Sequence, residues 1–247
     1  MMTRSSIRLV AAMTVTLIAT VAFAQDGGGK ADPAEKAAQD ELQKETDTFV
    51  KALQERGEFD EAAKSFVTKV ALQKLRQTPK QRRLAGGDKL EASMDRIRDA
   101  LSGRKVADAT GAGAKVREAA AAWLVEQARA APPAVAANAA LLLGDLRADG
   151  KPWLDGSRRL AAVAADASLP ASVRAAAVAG LARSVEEITA RPPAPAEFVE
   201  AIAPSMVAII TAPASDNDAA GRWLVSRALD VTTRLVPVAS PEIAKAL

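Results

Sequence analysis

The sequence predicts an all-α fold: an α-solenoid of stacked antiparallel helix pairs, preceded by an N-terminal helical hairpin. Three observations carry this expectation. Apolar residues make up 49 % of the chain, yet aromatics are only 3 % and Tyr is absent, so alanine supplies much of the apolar content. Alanine is the strongest helix former, whereas the β-branched and aromatic residues that favour strands are sparse. Apolar residues also recur at helical spacing along most of the chain, and prolines punctuate its second half about one helix apart. No sheet is expected.

The elements follow in order. Residues 1–24 have the three parts of a signal peptide: a basic start with Arg4 and Arg8, an apolar run from Leu9 to about Val21, and Ala22-Phe23-Ala24 as the cleavage site. A Sec-type leader cleaved after Ala24 places the product in the periplasm or outside the cell, with no integral membrane span once it is removed. Residues 25–33 read as a flexible lead containing Gly27-Gly28-Gly29. A helical segment spans 34–101. Its first helix, about 34–56, has Leu42, Phe49, Val50 and Leu53 on one face and stops at Gly57. The second starts near Phe59–Asp60, with Phe59, Ala62, Ala63, Phe66, Val67, Val70, Leu72 and Leu75 in register, and ends before Pro79. The third carries Leu90, Met94, Ile97 and Leu101. Residues 102–114 are rich in Gly and small residues and read as a linker. Helical repeats are expected over 115–236, with helices near 115–130, 134–147, 154–166, 171–188, 196–211 and 218–235. Pro204 lies inside one of them, which predicts a kink or a restart. Residues 237–247 form a C-terminal tail.

Three segments align without gaps, beginning at Val116, Val135 and Val173, and the intervals of 19 and 38 residues correspond to one helix plus turn and then two. A weaker copy starts at Gly221. Asp166-Ala-Ser-Leu-Pro-Ala-Ser-Val-Arg-Ala-Ala-Ala-Val-Ala-Gly-Leu resembles the turn and second helix of a HEAT repeat, and the resemblance covers about 107–236. It implies that Asp166 and Arg174, and by the same alignment Arg117, support the turns between repeats; Ala136 stands where the second copy would have its Arg. Gly57-Glu-Phe-Asp-Glu-Ala-Ala-Lys-Ser-Phe is similar to the turn and second helix of a tetratricopeptide repeat, though one half-repeat also reads as a simple helical hairpin.

Composition excludes several chemistries. With no Cys and no His, there is no disulfide, no thiolate metal site, and no Ser-His-Asp or Cys-His catalysis. The Asp149-Gly150 and Asp155-Gly156 region lacks the ligand spacing of a calcium loop, and Gly111-Ala112-Gly113 lacks the Lys-Ser/Thr of a phosphate loop. The acid pairs Glu186-Glu187 and Glu197/Glu200 have no aromatic cleft around them to hold a sugar. No cofactor and no metal are therefore expected.

Charge is uneven along the chain: residues 25–60 hold ten acids and five bases, and 61–106 hold twelve bases and five acids. This reads as self-complementation within the hairpin rather than as a nucleic-acid footprint. The Lys80-Gln81-Arg82-Arg83 cluster fits a partner for the acidic first helix. Trp123 and Trp223 sit in helical register and are expected in the core. Trp153 lies in a turn beside Arg158 and Arg159, the composition of an interface anchor, although a hydrophobic staple packing the start of its own helix is the favoured reading.

The expectation is an exported, non-catalytic scaffold for an unidentified protein partner, with Trp153, Arg158 and Arg159 as the candidate binding face. A self-associating envelope subunit and a carboxylate-dependent hydrolase of envelope material are the alternatives.

Overall fold

A computed structural model describes residues 33–73, 87–103, 111–190, 194–212 and 219–235. The chain divides into two units, 1–31 and 32–247, and all described residues belong to the second. The leader, nearly all of the lead, Pro79, the Lys80–Arg83 cluster and the 237–247 tail lie outside the described residues.

Nine helices form among the described residues, which are all-α apart from one two-residue strand pair. α1 is Pro33–Arg56 and α2 is Glu61–Val67, continued by a π-helical turn over Thr68–Leu72. α3 is Gly87–Leu101, α4 Ala112–Ala130 and α5 Pro133–Gly144. α6 is Leu154–Ala165, α7 Ala171–Thr189, α8 Ala196–Thr211 and α9 Ala219–Leu235.

From α4 onward the helices pack as two rows. α4, α6 and α8 follow one another in the first row, and α5, α7 and α9 in the second. Each hairpin, α4/α5, α6/α7 and α8/α9, joins a helix of one row to a helix of the other. This is a helical-repeat architecture, in which an element touches its own hairpin partner and the next hairpin along. The 38-residue interval now has a structural meaning. Val135 and Val173 each occupy the third position of a second-row helix, whereas Val116 lies deeper in first-row α4.

Local chemistry sets the helix starts. Pro132, Pro170 and Pro195 precede α5, α7 and α8 with φ of −53°, −53° and −58° and an extended ψ. Proline has no N–H to lose at this point, and its fixed φ directs the chain into the first turn. Small side chains set the packing distance. Ala139, Ala140, Ala161, Ala164 and Ala177 are fully buried, and Gly144 and Gly180 bring α5 and α7 nearly to backbone contact.

Four departures from the sequence reading follow from tertiary context. Asp149-Gly150 forms a tight turn with φ of 51° and 75°, pairing Arg147–Ala148 with Lys151–Pro152 antiparallel. Positive φ at both central residues is the hairpin geometry that Asp-Gly favours. α4 begins at Ala112, three residues before position 115 and inside the expected linker. Gly103 and Gly113, near the two ends of that linker, are in such close backbone contact that a Cβ on Gly103 would lie 2.3 Å from the Gly113 carbonyl oxygen. α8 runs unbroken through Pro204, because Phe198, Ile202, Met206 and Ile209 are buried on both sides of it. Trp223 is not a core residue; it is 43 % exposed on α9.

Residues 33–73 and 87–103 pack on the repeats rather than standing apart. The Asn138 side chain, 2 % exposed, donates to the Leu72 carbonyl at 2.7 Å and so satisfies the end of the π-helical turn. The Phe59 ring meets Trp123 edge-on with 5.5 Å between centroids. No helix among the described residues is long and apolar enough to cross a membrane.

Candidate functional site

Trp153, Arg158 and Arg159 do not form one face. Trp153 precedes α6, and its ring lies against Gly156, where a Cβ would approach within 2.7 Å of the indole. Two guanidinium groups flank the ring, Arg117 at 5.2 Å and Arg159 at 5.8 Å from its centroid. Arg159 also pairs with Glu118. Arg158 turns away to Asp155 on the solvent side of α6. The indole thus has its own chain on both sides, which fits a staple between α4 and α6 better than an open anchor.

The residues carried over from the HEAT resemblance sit at turns. Arg174 Nε donates to the Ala164 carbonyl at 2.9 Å, closing the α6–α7 turn. Asp166 Oδ1 accepts from the backbone N–H of Ser168 at 3.1 Å and from its hydroxyl at 2.6 Å. Those hydrogen bonds hold the Asp166 carboxyl below the ordinary range. Arg117 Nη1 donates to the Ser102 carbonyl at 3.1 Å. Its Nε is buried without a hydrogen-bond partner, and the Trp153 ring is the group stacked against the guanidinium.

Two arrangements were not singled out in the sequence. The first is an ionic cluster around Asp145, at the end of α5. Its side chain is 14 % exposed and lies 3.0 Å from Arg98 Nε on α3 and 3.0 Å from Arg183 on α7. The Arg98 N–H is not aimed at the carboxylate, so charge attraction rather than an aligned hydrogen bond acts there. Arg147 beside it pairs with Glu187 at 3.2 Å. Asp95, 2.7 Å from Arg98, makes three acids to the three arginines, so the cluster is balanced and ties three helices together.

The second is a groove of about 530 Å³ between α1 and α2. α1 presents Phe49, Ala52 and Leu53 to it, and α2 presents Ala62, Ala63 and Phe66. Phe49 and Phe66 stack with centroids 4.6 Å apart and form its floor. The turn between the helices is rigidly made. Gly57 takes φ of 66° and donates to the Leu53 carbonyl at 2.9 Å, and Asp60 Oδ1 caps α2 by accepting from the Ala63 N–H at 2.9 Å. That backbone hydrogen bond, helped by Arg56, holds the Asp60 carboxyl below the ordinary range. Farther along, Lys69 on the π-helical turn pairs with Glu45 at 2.7 Å, which raises the Lys69 ammonium above its ordinary value.

Among the described residues no group of three Asp or Glu side chains converges as a metal cage would require. Compared with protein-family models, with curated proteins and with solved structures, the chain shows no match. A period-based reading could have found the α1 side of the groove, since its lining positions from 41 to 56 recur at three and four residues. The α2 side depends on how the two helices splay, and the Asp145 cluster joins residues 98, 145 and 183, so neither has a local signal.

Proposed function

We propose that this protein is an exported, non-catalytic helical-repeat scaffold of the periplasm or cell envelope that binds another protein. Its leader directs export, and its repeats are HEAT-like. The observation that supports this best is the two-row stack. Each hairpin buries one face against its neighbours, and its outward positions are free to vary for recognition. Binding would use a few apolar anchors within a polar rim rather than a reaction centre. The groove between α1 and α2 has that composition, which makes it a better candidate face than Trp153.

The test is crosslinking of a tagged full-length protein in the envelope fraction, with N-terminal sequencing of the recovered chain. The expected results are a mature start at Gln25 and a discrete foreign partner. A chain still starting at Met1, or recovery of self-crosslinks alone, would overturn export or the scaffold reading respectively. An Arg158→Glu variant serves as a surface control, because that side chain is exposed and pairs with Asp155 on its own helix. Arg159→Glu is unsuitable, since it would break the contacts to Glu118 and Trp153.

A self-associating subunit is the second reading. The observation favouring it is Trp223, exposed on α9 with Arg227 lying 5.6 Å over its ring.

A further inference from the structure

The groove between α1 and α2 has an apolar centre and one acidic end. Its lining on α1 begins at Glu41 and ends at Arg56, a run of about 22 Å at the helical rise of 1.5 Å per residue. Space exists at its centre because Ala52 and Ala62 are small; Ala52 is half-buried and Ala62 exposed. The charged lining is Glu41, Glu45, Glu58 and Asp60 against Lys44 and Arg56. Arg56 is held by Asp60 at 2.9 Å. The Glu58/Asp60 end therefore carries one acid in excess over Arg56, whereas at the other end Glu41 and Glu45 are balanced by Lys44 and by Lys69, which pairs with Glu45 at 2.7 Å.

We infer that this groove receives one amphipathic helix of a partner protein, with two apolar side chains at its centre and a Lys or Arg near the end that meets Glu58 and Asp60. The inference rests on the scaffold reading and names the partner's chemistry. A helix is favoured over an extended strand because both walls are helices and offer no sheet edge to pair with. A stripe of side chains at three- and four-residue spacing is a ridge that a second helix can pack along. Apolar anchors would lie over Ala52 and Ala62, against the stacked Phe49 and Phe66 rings. The acidic end at Glu58 and Asp60 selects a helix that carries a cation there, and that contact sets its register.

The experiment titrates full-length protein into a fluorescein-labelled, hydrocarbon-stapled helix of about 15 residues, long enough to span the groove. The probe carries two central Leu residues one turn apart and an Arg pair at one end. A second probe has Glu in place of every Arg, and a third has Asp in place of both Leu. Saturable binding of the first probe is expected, with the other two at least about tenfold weaker, a difference of roughly 1.4 kcal/mol. Ala62→Phe should fill the floor and weaken the first probe about tenfold, the order expected when an anchor pocket is lost. Glu58→Lys should weaken the Arg probe and strengthen the Glu probe. That reciprocal exchange cannot come from unfolding, and circular dichroism of each variant checks the fold.

Equal binding of all three probes, or no saturation, overturns the inference. Concentration-dependent dimers that Ala62→Phe abolishes would assign the groove to a second copy. Binding that appears only when 74–86 is replaced by a Gly/Ser linker would assign it to the chain's own basic residues. Either result overturns the foreign-helix inference. A partner recovered from the envelope that Ala62→Phe does not release would leave the scaffold reading standing and remove the groove from it.

Discussion

Asp60 does two jobs with one carboxylate. Oδ1 caps α2 through the Ala63 N–H, and Oδ2 accepts from Arg56 at the end of α1. Removing the cap by Asp60→Ala should cost about 0.5–2 kcal/mol at neutral pH. The sign of the pH dependence follows from the lowered carboxyl pKa in the folded state. A depressed pKa contributes stability that is present above the unfolded value near 4 and is lost as pH falls through the folded value. Urea melts of wild type and Asp60→Ala should therefore differ at pH 7 and converge as the pH falls below about 4. A constant difference across that range would mean the cap acts through shape rather than charge. Arg158 and Arg159 make a second contrast. Arg158 pairs with Asp155 in an exposed (i, i+3) contact, so its alanine variant should change stability by less than about 1 kcal/mol. Arg159 also stacks on Trp153, so Arg159→Ala should cost more and should shift the Trp fluorescence. The sequence placed Trp153 beside arginines, but which arginine faced the ring depended on α4, whose Arg117 lies 36 residues earlier.

At the scale of the element, helix positions were legible because they depend on local chemistry. Leu42, Phe49, Val50 and Leu53 on α1, and Leu90, Met94, Ile97 and Leu101 on α3, are all buried as their spacing implied. The strand pair at 147–152 was not foreseen: Asp149-Gly150 is a hairpin turn signal, but two-residue strands are too short to leave a periodic one. The Trp223 position was not legible: helical register shows that a residue shares a face, not whether another helix covers it. The closest helix crossing was equally hidden, because Gly144 and Gly180 look like ordinary breaks in an Ala-rich sequence. Alanine in place of an interior helical glycine normally gains roughly 1 kcal/mol. Here the added Cβ of Gly144→Ala would lie 2.8 Å from the Gly180 Cα, a backbone atom with no freedom to move. Gly180→Ala would instead meet Leu160 Cδ2 at 2.8 Å, the end of a side chain that can rotate. Both should destabilise, Gly144→Ala by about 1–3 kcal/mol and Gly180→Ala by less. Thermal melts of the two variants check the order; a stabilised Gly144→Ala would show that α5 and α7 lie farther apart.

At the scale of the whole described unit, the question is whether residues 33–73 and 87–103 unfold together with the repeats. Repeat stacks propagate stability through nearest neighbours, so a weak junction divides them. The polar ties across this junction include Asn138 to the Leu72 carbonyl at 2.7 Å, Arg98 to Asp145 at 3.0 Å, the Arg147 N–H to Ser102 Oγ at 3.0 Å and Arg117 to the Ser102 carbonyl at 3.1 Å. Asn138→Ala leaves a buried carbonyl unsatisfied, and Asp145→Ala removes the acid that Arg98 and Arg183 share, leaving Arg98 with Asp95. Together they should weaken the junction by roughly 2–4 kcal/mol. The chain offers a clean way to see this, because all three Trp residues, at 123, 153 and 223, belong to the repeats. Fluorescence reports the repeats, whereas far-ultraviolet circular dichroism reports every helix. Wild-type urea curves from the two probes should coincide, as one cooperative unit requires. In the double variant ellipticity should begin to fall at lower urea than fluorescence, because α1–α3 would detach from a stack that is still folded. Curves that stay coincident while both shift would mean that the apolar contact of Phe59 with Trp123 and the packing around it are enough to couple the two parts.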